Sequence, residues 1–206
     1  VEPAGIADMM LELQDQGCHN INFVTPSHVV AQIIAAVHDA AGRGLRLPLV
    51  YNTGGYDSAE ALALLDGIID IYMPDMKYGD SALARKYSRV RNYAEANRAA
   101  VREMHRQVGD LVLDENGIAL RGLLVRHLVM PNDIAGTAEV LEFLAEEISR
   151  ETYLNLMHQY RPCYRADQYP GIDRAVTGAE YAAALEAAER AGLRRLDHAR
   201  RTGALR

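Results

Sequence analysis

Apolar residues in the first segment recur at helical spacing: Ile6, Met9, Met10 and Leu13 predict a helix over residues 3–16, stopped by Gly17. The pattern then changes to strict alternation. From Cys18 to Thr25, Ile21 and Phe23 point one way and Asn20 and Asn22 the other, which predicts a strand. Pro26-Ser-His28 leads into a second helix ending near residue 42, with Ser27 as its N-cap. Leu47 to Tyr51 is the next strand, and it runs into Asn52-Thr-Gly-Gly-Tyr56. The paired glycines there allow a sharp turn and a close approach of backbone to ligand. Asp57 or Ser58 caps a helix containing Ala61 to Leu65. A buried strand from Ile69 to Tyr78 follows, then two helical pieces over 81–108 and a small hairpin around Glu115-Asn-Gly117. Gly122 to Met130 reads as a long strand closed by Pro131-Asn132, 137–149 as a helix and Tyr153 to His158 as a strand. Residues 163–176 are irregular, and Thr177 opens an Ala-rich helix that Gly192 ends.

Strands alternating with helices in this way mean an α/β fold with parallel strands and crossover helices. Each strand carries polar residues toward its C-terminal end, where barrel enzymes place their sites. The expected architecture is therefore a closed or partly closed barrel in one domain over residues 1–206.

The 206 residues, 49% hydrophobic and 24% charged, have the composition of an ordinary globular protein. A net charge of -6 gives no electrostatic reason to expect nucleic acid or an anionic membrane surface as partner. No apolar run approaches the roughly 20 residues of a membrane helix, and the N-terminus lacks a signal-peptide pattern. Only Cys18 and Cys163 occur, far apart, which points to a reducing, cytoplasmic setting and excludes a four-thiolate metal site made by this chain alone.

Polar groups at strand ends are the candidate chemistry. Thr25 and Ser27 lie after the first strand, Asn52 and Thr53 after the second, and Asp75 and Lys77 at the end of the third. Arg126 and His127 sit in a later strand, and His158, Gln159, Tyr160 and Arg161 leave the last. Each has a plain structural role open to it. Thr25 and Ser27 can be capping hydroxyls, Asn52-Thr-Gly-Gly a turn, His158 a satisfied core histidine, and Asp75 with Lys77 an ion pair at a strand exit. Arg126 is harder to place without a ligand or a partner, because it stays charged. Together they describe a holder for a small zwitterion: Asp75 for an amino group or cation, Lys77 and Arg126 for a carboxylate, Asn52 and Gln159 for hydroxyls or amides. No nucleophile–base spacing, phosphate-binding glycine loop or zinc motif is present.

Four stretches carry a resemblance: Gly17-Cys-His-Asn-Ile-Asn-Phe-Val-Thr-Pro-Ser-His28, Tyr51-Asn-Thr-Gly-Gly-Tyr56, Asp70-Ile-Tyr-Met-Pro-Asp-Met-Lys77 and Val125-Arg-His-Leu-Val-Met-Pro131. In their order they resemble the radical SAM superfamily, in particular proteins related to the pyruvate formate-lyase activating enzyme. The resemblance implies a partial TIM-like (β/α)6 barrel. It also implies a [4Fe–4S] cluster held by a C-x-x-x-C-x-x-C loop, and S-adenosylmethionine cleaved there to a 5′-deoxyadenosyl radical that acts on a protein or peptide partner. By position, Thr25 and Ser27 fall where the family has a Gly-Gly-Glu segment touching the amino group of the cofactor. Asn52 and Thr53 match an Asp-Thr turn that helps hold a monovalent cation, Asp75 and Lys77 match the Asp-x-Lys pair beside the cofactor, Arg126 matches an arginine inside the barrel, and Tyr160 falls near a histidine that approaches the adenosine.

The sequence departs from the family at three places. The Gly-Gly-Glu segment is replaced, Asn52 stands for an aspartate, and no C-x-x-x-C-x-x-C occurs. The expectation is a chain lacking the first strand and the cluster loop, which would lie upstream of Val1, so that this chain alone is inactive. Two alternatives accompany it: a cluster-less module binding S-adenosylmethionine or another small charged ligand without radical chemistry, and an unrelated barrel enzyme using Lys77 as a Schiff-base lysine. The last is disfavoured because Asp75 opposes the lowered lysine pKa it needs. A sheet edge exposed near residues 19–25 makes a dimer through that edge a further expectation.

Overall fold

The computed structural model describes residues 2–197. In chain order its elements are α1 (Pro3–Asp15), β1 (Ile21–Val24), α2 (Val30–Gly42), β2 (Leu49–Thr53), α3 (Ala59–Ala63), β3 (Ile71–Met76), α4 (Ser81–Ser88), α5 (Tyr93–Val108), β4 (Val112–Leu113), β5 (Ala119–Leu128), α6 (Thr137–Phe143), β6 (Tyr153–Met157) and α7 (Gly178–Ala191). The strands form a mixed sheet, mostly parallel, in the order β1-β2-β3-β5-β4, with β6 paired to β5. Among the described residues no helix is long and apolar enough to cross a membrane.

Two compact units divide the chain, residues 1–74 with 96–124 and residues 75–95 with 125–206. In the first, β1, β2 and the start of β3 pair in parallel, Phe23 opposite Tyr51 and Tyr51 opposite Tyr72. Helix α1 buries Ala7 and Met10, and α2 buries Val30, Ile33, Ala36 and Ala40; the two helices pack on each other. The i, i+3, i+6, i+10 series in α2 is the single apolar face that such packing requires. Tyr51 and Tyr72 are fully buried and meet edge to face. β4 and the start of β5 form the expected hairpin. Gly122, at φ +113°, lies so close to Asp110 that a Cβ would stand 2.4 Å from the Asp110 carbonyl oxygen. Only glycine fits both the space and the backbone angle.

In the second unit the end of β5 pairs with β6, and α6 packs on α7. A cluster of Tyr78, Ala84, Tyr93, Met130 and Ala135 fills its interior beside β3 and β5. Thr177 caps α7 by a full capping box: its hydroxyl accepts the Glu180 N–H while the Glu180 carboxylate accepts the Thr177 N–H. Such a cap stabilises a helix start by about 1 kcal/mol.

Several boundaries differ from those the sequence predicts. Ser27 does not cap α2; it sits in a short 3-10 turn, Pro26–His28, and its hydroxyl is used elsewhere. At α3, by contrast, the cap is Ser58, one of the two residues expected there, and it accepts the Ala61 N–H. The hairpin and the following long strand are one element, because β5 runs unbroken from Ala119 to Leu128 through Gly122. The helix predicted over 137–149 is α-helical only to Phe143 and continues as a π-helical turn, Leu144–Ile148.

Candidate functional site

The first group of predicted residues gathers around a carboxylate that the sequence suggests only as a helix cap. Asp57 is 8% exposed. It accepts hydrogen bonds from Ser27 Oγ at 2.6 Å, Thr53 Oγ1 at 2.7 Å and Tyr51 Oη at 3.0 Å. Thr53 Oγ1 also accepts the Gly55 N–H at 3.2 Å, which fixes the turn after β2. Burial, then the Asp57 charge, pushes the Tyr51 phenol well above its ordinary value, so this ring remains a donor at any physiological pH. With its hydrogen given to Asp57, the exposed Ser27 presents oxygen lone pairs, which suit a donor such as an ammonium group, whereas Thr53 is buried and already accepts the Gly55 N–H.

Thr25 reaches this region through its backbone. Its N–H donates to the Asn52 carbonyl oxygen at 2.8 Å, and it adopts a left-handed conformation, φ 55°. For a β-branched residue that geometry is strained and is held only by its surroundings. Asn22, on the face of β1 opposite Ile21 and Phe23, is exposed.

The second group is an ion triad. Asp75 ends β3 with its side chain 12% exposed. Its Oδ2 accepts from Lys77 Nζ at 2.7 Å, and its Oδ1 accepts from Arg126 Nε at 2.7 Å and Nη2 at 2.7 Å. Two cations thus share one carboxylate at the end of β3. Tyr93 braces the backbone beneath: its hydroxyl donates to the Asp75 carbonyl oxygen and accepts the Lys77 N–H at 3.0 Å. The sequence offers no signal for Tyr93, since it lies 16 residues from Lys77 at the start of a helix.

Arg126 and His127 part company. On β5, Leu123, Val125 and His127 are buried and Leu124, Arg126 and Leu128 are half-buried, so the two lie on opposite faces. His127 is enclosed, 2.7 Å from the Met76 carbonyl oxygen through Nδ1 and 3.0 Å from Thr137 Oγ1 through Nε2. A carbonyl accepts only, so Nδ1 carries the hydrogen and Nε2 accepts from Thr137. Burial pushes its pKa down to about 4. His127 is a structural group and no part of the triad. His158, by contrast, is exposed and lies against the Tyr181 ring.

Tyr160 is half-buried, and its hydroxyl donates to the Ile172 carbonyl oxygen at 2.7 Å. With Lys77 it lines a cavity of about 540 Å³. Among the described residues no group of three or more His, Cys, Asp or Glu side chains is placed to hold a metal ion.

The fold is shared with a known class of domain. A domain of the pyruvate-formate lyase-activating enzyme from Bacteroides vulgatus matches with a TM-score of 0.58 over 85% of this chain and 96% of that one, at 12% identity. In sequence, the chain is similar to the uncharacterized protein MJ0674 of Methanocaldococcus jannaschii, 31% identical over 175 residues. That alignment takes in 84% of this chain and 47% of the relative, so the chain spans about half the length of the protein it matches. No family model matches.

Proposed function

We propose that this chain is the S-adenosylmethionine-binding core of a radical SAM activating-enzyme-like protein. The observation that carries the reading is the Asp75 carboxylate clasped by Lys77 and Arg126 at the end of β3. The fold likeness to an activating-enzyme domain supports it. The methionine part of S-adenosylmethionine carries one carboxylate and one ammonium. In this reading the carboxylate pairs with Lys77 and Arg126, and Asp75 accepts from the ammonium. Tyr93 holds the Asp75 and Lys77 backbone so that neither cation has to be reoriented on binding.

Calorimetric titration of the chain with S-adenosylmethionine tests this. Saturable binding that Arg126→Gln weakens about tenfold or more is the expected result, given the strength of charged hydrogen bonds. Absence of binding to the folded chain would overturn the reading.

In the whole protein, a [4Fe–4S] cluster would supply the electron for reductive cleavage of the cofactor, with a protein or peptide as the target of the radical. The residues of this chain do not fit that cluster. Clusters of this type are held by several thiolates, and Cys18 and Cys163 are the two cysteines of the sequence, one in each unit. The alternative reading is a module that binds S-adenosylmethionine or another small charged molecule without radical chemistry. Anaerobic reconstitution of this chain with iron and sulfide is expected to leave no stable cluster absorption. A stoichiometric cluster would show that the two thiols suffice with other ligands and would remove the module reading.

A further inference from the structure

The cavity of about 540 Å³ in the second unit has a lining unlike the rest of a chain that carries net charge -6. Lys77, Arg89, Arg161 and Arg165 all line it, and among the described residues no aspartate or glutamate does. Between the cations stand tyrosine rings: Tyr78, Tyr87, Tyr160, Tyr164 and Tyr169. We propose that this cavity binds a small anionic molecule with a planar ring, its phosphate or carboxylate held by Arg89 and Arg161 and its ring by the tyrosine walls.

The walls are built before any ligand arrives. Tyr78 is buried, and its hydroxyl is within 2.8 Å of Ser88 Oγ. Tyr160 is pinned to the Ile172 carbonyl oxygen, and Tyr87 and Tyr169 meet edge to face with centroids 5.8 Å apart. Aromatic faces fixed in this way stack on a flat ligand at little entropic cost. A volume of this size lies in the range of small-molecule sites.

The cations are not used up by the fold. Lys77 is paired with Asp75. Among the described residues, Arg89, Arg161 and Arg165 make no ion pair with a carboxylate; Arg165 rests over the exposed Tyr164 ring, 5.2 Å from its centroid. Arginine prefers planar, bidentate oxyanions such as phosphate and carboxylate. The same charge argues against S-adenosylmethionine as the occupant, since its sulfonium and ammonium outweigh its carboxylate. Lys77 is common to both sites, but Arg89 and Arg161, on which this inference rests, take no part in the reading of Asp75, so the inference goes beyond it.

One ring carried through four charges provides the test: phenyl phosphate, benzoate, benzamide and benzamidine, titrated by ligand-observed NMR. Affinity is expected to rise with negative charge, and Arg89→Ala with Arg161→Ala to weaken phenyl phosphate about tenfold, the scale of one lost charged hydrogen bond. Cys163 lines the cavity and is exposed, so its alkylation in a Cys18→Ser background reports the place of binding and is expected to slow with phenyl phosphate. Circular dichroism checks that each variant is folded. Equal affinity across the four rings, tighter binding of benzamidine, or unprotected Cys163 would each overturn the proposal. Loss of S-adenosylmethionine binding with the charge series intact would overturn the other reading alone.

Discussion

Replacing Asp75 with alanine is expected to lower the stability of the chain by about 2–3 kcal/mol, measured as a shift in the urea midpoint at constant slope. The physical cause is what remains. Lys77 and Arg126 both direct donors at a carboxylate whose side chain is 12% exposed, and without it two positive charges face each other at a strand end. Breaking a fully buried pair costs about 3–5 kcal/mol; the 38% and 26% exposure of the Lys77 and Arg126 side chains lets water screen part of that here. The double variant Asp75→Ala, Arg126→Met should recover a good part of the loss, since it removes one of the stranded charges. A single-variant cost below about 0.5 kcal/mol would mean that the triad behaves as an ordinary surface ion pair.

The second large effect is a pH dependence set by His127. Burial holds its folded pKa at about 4, below the ordinary histidine value of about 6.5. Above the unfolded value the ring is neutral in both states, and its full contribution to stability is present. As pH falls from about 6.5 toward 4, the unfolded chain takes up a proton that the folded chain refuses, and stability drops. Over that window the loss amounts to about 3 kcal/mol at 1.36 kcal/mol per pK unit, and below it both states are protonated and the slope ends. Urea unfolding of the chain and of His127→Gln at pH 7.5 and about pH 4.5 checks this, because the variant lacks the titration. Equal pH slopes for the two proteins would show that His127 ionises without penalty.

Much of the element order was legible because burial writes itself into spacing. The helical spacing of apolar residues in α1 and the alternation through β1 mark one-sided faces, and Thr177 announces the start of α7. The ion triad was legible in part for the same reason: Asp75 and Lys77 share a strand face by their two-residue spacing, and an arginine in an apolar strand calls for a counter-charge. The remainder depended on partners far along the chain. Asp57 reads equally well as a cap, and only the fold brings Ser27 to it from 30 residues away. Tyr93 and the tyrosine-lined cavity have no local periodicity at all. The hairpin and the strand expected from Gly122 onward merge, because Gly122 serves close backbone approach inside β5.

The adjacency of Arg126 and His127 also bears on how β5 finds its alignment. Asp75 meets Arg126 and Met76 meets His127, two successive pairs with the same offset of 51 residues. A slip of β5 by one position would turn a permanently charged guanidinium into the apolar layer beside Thr137 and turn the imidazole out of it. Neither side chain can exchange places with the other, since one cannot lose its charge and the other is held neutral by burial. The two residues thus act as a key that admits a single strand register, and they would reject misaligned pairings while the sheet is still assembling.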